Sequence, residues 1–328
     1  MEMMQSRREL LSGLAALSLA ALPAAVRAQS RAPAEITYGT LSPSSTEWPI
    51  LLAQEQGMFR DAGLAVNVVY AGNPQNVING VATGAMNLGD GGSDTLIAAI
   101  AHGIPMRLIA PLVSVNPYSL LVSESIRSFA DLRGKTVMLG TKQDVSAIVF
   151  ARLAAQAGLG LGDFSIVIGG NSSTRYAALS SGNAQGAILA QPFDFIAESK
   201  GMRVLGSAKD AMKDWIFSSV ATNAAWANAN RATIVTFLRT LRRAVQFGYL
   251  HKAETVAALV NAAHVEPSIA AASYDLDFTK WRAYDPSYRF SAASFRTLTT
   301  ALIASGAIAE APNYADVYDP SFAAEAIK

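Results

Sequence analysis

Residues 79–90 read "NGVATGAMNLGD", and residues 176–189 read "YAALSSGNAQGAIL". Both run from the end of a helical pattern, through a Gly (Gly84, Gly182), into a buried-looking apolar strand. A Gly just past a helix takes the left-handed conformation that closes it. Each stretch leads to a fresh helix start, at Gly91-Gly92-Ser93-Asp94 and at Gln191-Pro192-Phe193-Asp194. One plan used twice in a single chain predicts two lobes of similar build.

Further strand-like runs lie at 35–39, 64–70, 106–113, 135–139, 164–168 and 202–206, with helical patterns in most gaps. That alternation predicts an α/β fold of two doubly wound, mostly parallel sheets. Two extended runs interrupt it, "SVNPYSLLVS" (114–123) and "SSVATNAAW" (218–226). Taken as hinge strands, they give a first lobe of 36–115 plus 222–328 and a second of 116–221. Beyond 228 the chain is mainly helical. Ile234, Phe237, Leu238, Leu241, Val245 and Tyr249 fall on one stripe, with Arg239, Arg242 and Arg243 off it.

The 328 residues exceed what one small core organises. With 51% hydrophobic and 16% charged residues and a net charge of +1, the chain is globular and offers nucleic acid no basic footprint. Residues 1–28 hold Arg7 and Arg8, an apolar run from Leu10 to Val26, and Val26-Arg27-Ala28. They read as an export signal cut after Ala28. The rival, a membrane anchor, needs roughly 20 solidly apolar residues. Here Ser12, Gly13, Ser18 and Pro23 interrupt the run. "SRRELL" partly matches the twin-arginine pattern, so the route is either that or the general one. There is no Cys, hence no disulfide and no lipoprotein anchor. The expected product is a free periplasmic monomer.

In such folds ligands sit at the carboxyl ends of strands, against helix N-termini. Backbone N–H groups are unsatisfied there and the dipole is positive, so small anions are favoured. Five junctions qualify. In "SPSSTEW" (42–48), Thr46 is the expected N-cap and Glu47 a helix-start acid. Ser44 and Ser45 form the loop, and Trp48 covers a ligand or packs in the core. At 90–94, Gly92 permits close approach and Ser93 caps the helix. Asp94 either complements the dipole or contacts a ligand, which would then carry a cationic or N–H group. Asn116 and Tyr118, after Ser114, serve as hinge or contact. At 140–146 the candidates are Thr141, Lys142 and Gln143, with Lys142 neutralising a carboxylate or sulfonate or simply solvated. At 169–175, Ser172 or Ser173 caps a helix, Asn171 adds a polar group, and Arg175 is a candidate bidentate anion clamp. Gln191 and Phe193 complete the wall.

This mixture, rich in Ser, Thr, Asn and Gly, predicts a small organic anion: a sulfonate, a carboxylate or an aromatic or heterocyclic acid. No nucleophile–base pair or cofactor motif stands out, so no catalytic residue and no cofactor is expected. His102, His251 and His264 are widely spaced and lack metal-ligand spacing.

The segment "PILLAQEQGMFRDAGLAVNVVYAGNPQNVINGVATG" (49–84) resembles the periplasmic substrate-binding proteins of ABC importers for nitrate, sulfonates, taurine and related compounds. Pro49, Ala53, Gly57, Phe59, Gly63, Leu64, Val66 and Gly84 carry the pattern. "SIRSFADLRGKTVMLG" (125–140), "RYAALSSGNAQGAILAQP" (175–192) and "YDPSFAAEA" (318–326) extend it. The resemblance implies a two-lobed type II binding-protein fold, a small-molecule ligand between the lobes, and an inner-membrane ABC permease as partner. A ligand-sensing subunit of a signalling system would use the same cleft. Where the family usually has Asp after each Gly turn, this chain has Asn87 and Gln185. Their expected role is local hydrogen bonding at strand starts. The same fold also carries an enzyme, the yeast-type thiamine-pyrimidine synthase, whose Cys-rich iron site has no counterpart in a chain without Cys.

Overall fold

The computed structural model describes residues 32–212 and 214–328. The expected export signal, 1–28, lies outside the described residues. Ten strands are found among the described residues: β1 Ala34–Thr40, β2 Leu64–Tyr70, β3 Leu88–Gly92, β4 Met106–Val113, β5 Ser119–Val122, β6 Thr136–Leu139, β7 Ser165–Ile168, β8 Gly186–Leu189, β9 Arg203–Ser207 and β10 Ser218–Asn223. They form two five-stranded sheets, ordered β2-β1-β3-β10-β4 and β7-β6-β8-β5-β9.

The two orders are the same order. β1, β2, β3 and β4 correspond to β6, β7, β8 and β9, and β10 corresponds to β5. In each sheet one strand runs antiparallel to both neighbours, β10 in the first and β5 in the second. Each of these is the first strand after the chain crosses between sheets. The fold is therefore α/β and two-lobed, with mixed sheets whose other strands run parallel.

The repeated sequence plan has a physical basis. Gly84 and Gly182 end their helices at φ 80° and 78°. Neither would bring a Cβ within 4 Å of other atoms, so backbone conformation rather than space demands Gly there. Just beyond, Asn87 Oδ1 accepts the N–H of Thr37 at 2.8 Å, and Gln185 Oε1 accepts that of Thr136 at 3.3 Å. Thr37 is in β1 and Thr136 in β6, equivalent strands. Each amide thus ties the start of one strand to its parallel neighbour, as expected.

Strand β10 is paired from Ser218 to Asn223 with β3 or β4. Residues 218–221, assigned to the second lobe from the sequence, pair in the first sheet. The connection from the second sheet therefore ends before Ser218. After β10 the chain is helical. In the helix Arg231–Leu250 the expected stripe is buried at Ile234, Phe237, Leu238, Leu241 and Val245, while Tyr249 is half-buried and donates its hydroxyl to Tyr284 O at 2.7 Å. Among the described residues no helix is long and apolar enough to cross a membrane.

Candidate functional site

The junction after β1 folds differently from its reading. Ser45–Glu47 is a 3-10 turn, and the α-helix is Trp48–Glu55. Ser44, not Thr46, is the N-cap. Its N–H donates to Glu47 Oε2 at 3.1 Å, and its hydroxyl donates to the same oxygen. The hydroxyls of Thr40 and Thr46 donate to Oε1 at 2.9 and 2.7 Å. Glu47 is thus a buried hub, only 2% exposed. Burial pushes its pKa up, and these hydrogen bonds pull it back. Trp48 is fully buried and donates its ring N–H to Thr255 O at 2.6 Å. It packs edge-on against Tyr274 and Phe278. Of the two readings of Trp48, core packing is the one observed.

At the β3 end, Ser93 is the first helical residue of Ser93–Ala101 and Gly92 the cap. The hydroxyl of Ser93 pairs with that of Ser219 at 2.8 Å instead of capping. Asp94 is fully buried, and its Oδ2 accepts the N–H of Val145 from the opposite lobe at 2.7 Å. Its Oδ1 has no hydrogen-bond partner. Burial, with the negative charge of Asp144 nearby, pushes its pKa up to about 7.

In the second lobe, Asp144 caps the helix Val145–Gln156, accepting the N–H groups of Ser146 and Ala147 at 3.0 and 3.2 Å. Thr141 Oγ1 accepts the N–H of Asp144 at 3.0 Å. Lys142 is exposed and lines an open outer groove of about 760 Å³ of empty space, with Ile148 and Leu161 of its own lobe and Ala301 of the other. That groove is larger than the cleft pocket but has no convergent buried polar groups. Gln143 is exposed and donates to Gly306 O at 3.3 Å.

Asn171, not Ser172 or Ser173, caps the helix Ser172–Ser180, and Ser173 donates to Asn171 Oδ1 at 2.7 Å. Asn171 Nδ2 also crosses the cleft to Gly72 O at 3.0 Å. Arg175 is 1% exposed. Its Nε donates to Ile188 O at 2.6 Å, Nη2 to Ser172 Oγ at 3.1 Å, and Nη1 to Gly170 O. Its guanidinium lies 5.4 Å from the centre of the Tyr118 ring. All three nitrogens are engaged within the second lobe, which uses three of the five N–H groups.

The remaining candidates bind the lobes together or fill their cores. Ser45 N–H donates across the cleft to Gln191 O at 3.1 Å, and Tyr284 donates its hydroxyl to Ser45 O. Gln191 Nε2 donates to Asp194 Oδ2 at 2.6 Å. Phe193 packs beside Tyr176 on a small core of the second lobe. Asn116 ties the two connections between sheets, accepting the N–H of Tyr118 at 3.1 Å and donating to Met212 Sδ at 3.6 Å.

Between the lobes lies a pocket of about 380 Å³ of empty space, of which about 30 Å³ admits the centre of a water molecule. Its walls include Thr46, Glu47, Asp90 and Gly92 from one side and Tyr118 and Asp144 from the other. Thr46, Gly92 and Tyr118 were expected there. Glu47 was read as a helix-start acid, and neither Asp144 nor Asp90 was among the candidate contacts. A usable signal existed: Asp90 follows Leu88-Gly89 directly before the Gly91-Gly92 helix start. Among the described residues no three His, Cys, Asp or Glu are grouped to hold a metal ion.

Residues 45–255 match the family model described as NMT1/THI5 like. The chain belongs to the NMT1/THI5-like family. Among curated proteins, it is similar to the Saccharomyces cerevisiae 4-amino-5-hydroxymethyl-2-methylpyrimidine phosphate synthase THI11, 27% identical over 138 residues. The match covers 41% of this chain and 40% of the yeast protein, so the chain spans about two fifths of that relative's length. Solved structures of similar fold include the ligand-binding component of an ABC-type import system from Staphylococcus aureus, with TM-score 0.77 and 14% identity over 89% of this chain and 99% of that one. The periplasmic aliphatic sulphonate binding protein SsuA from Escherichia coli follows with TM-score 0.70 and 19% identity over 88% and 93%. At these identities the likeness is one of fold. The NMT1/THI5-like assignment agrees with the resemblance seen in residues 49–84 and 125–192.

Proposed function

We propose that this protein is a periplasmic solute receptor that binds a small organic molecule between its lobes and delivers it to an ABC permease. The observation that carries this reading is the pocket itself. Two sheets of corresponding strand order each supply residues at strand ends and helix starts to one polar cleft. The lobes are joined by two connections, 114–118 and 208–217, through which they would part about a hinge. A pocket with so little enclosed room admits an organic ligand only if they do. Binding would then favour the closed form through its higher affinity for that form.

Ser44, Ser45, Asn171 and Gln191 fit this scheme as groups that set the closed geometry, and Thr46, Gly92 and Tyr118 as wall. Of the two cations expected to meet an organic anion, Lys142 lies in the open outer groove and Arg175 bonds within its own lobe.

A second reading, an enzyme on this fold, is favoured by the yeast relative, which is named a synthase. Native mass spectrometry of freshly purified protein tests the first reading. A stoichiometric co-purified small molecule that is released unchanged, together with capture of a membrane permease, supports a receptor. Release of a chemically altered product would favour the enzyme.

A further inference from the structure

Three of the helix starts that would seat an anion are already occupied by the chain's own oxygens. Glu47 accepts from Ser44, Thr40 and Thr46 at the first. Asp144 and, from the other lobe, Asp94 take the N–H groups at the start of Val145–Gln156. Asn171 closes the start of Ser172–Ser180. What remains facing the pocket is surplus acceptor capacity. Asp90 is 1% exposed and its Oδ1 has no partner; the hydroxyls of Ser218, in the same wall, and of buried Tyr38, near Asp90, also lack one, though either can donate as well as accept. Three carboxylates, Glu47, Asp90 and Asp144, line one small space. One buried cation, Arg175, stands against the Tyr118 ring and beside Asp144, whose carboxylate it partly offsets; no cation is among the main influences on Glu47 or Asp90.

The same imbalance recurs at another point of the lobe contact. Both carboxylate oxygens of buried Asp277 and Oε1 of buried Gln191 lack partners, and Asp194 feels the negative charge of Asp277 from the opposite lobe.

Buried carboxylates are stable only when paired, hydrogen-bonded or protonated. An anionic ligand would add like charge to this wall. A ligand bringing positive charge and several N–H groups would satisfy the orphaned oxygens and offset the repulsion together. The aromatic faces of Tyr118 and Phe217 in the same wall suit a cation as well. The acids are not grouped as metal ligands among the described residues, which favours an organic cation over a metal ion.

We infer that the pocket selects a compact organic cation with two or more N–H donors, of amidinium, guanidinium or diamine type, with Asp90 as its principal partner. This inference rests on the receptor reading and narrows it. The test is calorimetric titration of ligand-stripped protein with agmatine, benzamidine and 1,4-diaminobutane, against butane-1-sulfonate, benzoate and a neutral sugar. At least one cation is expected to bind, with affinity that rises from pH 6 to pH 8 as Asp94, whose pKa is pushed up to about 7, loses its proton. Asp90→Asn is expected to weaken that binding at least ~10-fold. Asp144→Asn, which keeps the helix cap, is expected to weaken it in the same direction should Asp90→Asn fail to fold.

Binding of only the anions or the sugar overturns the cation class and leaves a receptor in place. Cation binding unchanged in both variants also overturns it. Failure of every probe overturns it too, and the receptor reading is then judged separately by the co-purified molecule.

Discussion

Asp94 Oδ2 accepts the backbone N–H of Val145 across the cleft at 2.7 Å, joining the start of one lobe's helix to the start of the other's. The contact uses an N–H with no partner inside its own helix. A buried bond of this kind is shielded from water and salt, as an exposed ion pair is not.

Removing this acceptor should loosen the lobe contact before it unfolds either lobe. In Asp94→Ala the amide of Val145 loses its only recorded acceptor. Hydrogen exchange at Val145 should accelerate by about an order of magnitude, which corresponds to a bond of ~1.4 kcal/mol. Amides in the middle of β1 and β6 should be unaffected. Uniform acceleration across both sheets would instead mean that the contact stabilises the whole fold.

Stability should fall as pH rises toward neutrality. Asp94 and Asp277 both have pKa values raised to about 7, chiefly by burial. Between the unfolded carboxylate pKa and about 7, the native state holds these protons and the unfolded chain does not. Each upward step in pH over that window therefore favours unfolding, by up to ~1.4 kcal/mol per unit for each acid. Above about 7 both states have lost the proton and the slope ends. Chemical denaturation from pH 4.5 to pH 8 should show this decline, and Asp277→Asn should flatten part of it. A midpoint that rises over the same range would contradict the burial of these groups.

Trp48 should behave as a core residue. Its ring is enclosed by Tyr274 and Phe278, and its N–H is satisfied by Thr255. Trp48→Ala should cost ~3–5 kcal/mol of stability by cavity formation and loss of the buried hydrogen bond. Trp48→Phe should cost less. In the folded Phe variant, affinity for the co-purified molecule should stay near that of the unaltered protein, because the residue does not line the pocket. A selective loss of affinity would place Trp48 back at the ligand.

Arg175 is the buried cation of the second lobe, and it pulls the pKa of Asp144 down against the rise caused by burial. Arg175→Met strands Ile188 O, Gly170 O and Ser172 Oγ and deprives Asp144 of that support. A loss of ~3–5 kcal/mol is expected. Arg175→Lys should recover only part of it, since one ammonium cannot reach three acceptors spread around a planar fork. The two thermal midpoints, compared at pH 7, check this order.

Much of the architecture was legible without coordinates because its determinants are local. Gly84 and Gly182 close helices through their own backbone freedom, and the strand runs declare themselves by apolar content within a few residues. Of the two extended runs read as hinge strands, 114–123 contains β5 and 218–226 contains β10, each paired within a sheet. Only the pairing of β10 showed that its first four residues belong to the first sheet. Strand membership is decided by a neighbour far away in sequence, which no short window contains.

The site was legible in position but not in character. The five junctions do converge on the lobe boundary, and Thr46, Gly92 and Tyr118 do line the pocket. Their chemistry depended on facts with no local signature. Whether Trp48 met a ligand or Tyr274, whether Arg175 pointed outward or into Ile188 O, and whether Glu47 was solvated or buried were all settled by long-range packing. The sequence by itself determined two lobes of one design, with helix starts aimed at a shared cleft. Only the tertiary structure decided that those starts already hold Glu47, Asp94, Asp144 and Asn171. The pocket is acidic because electrostatic character depends on which groups meet across the lobe boundary.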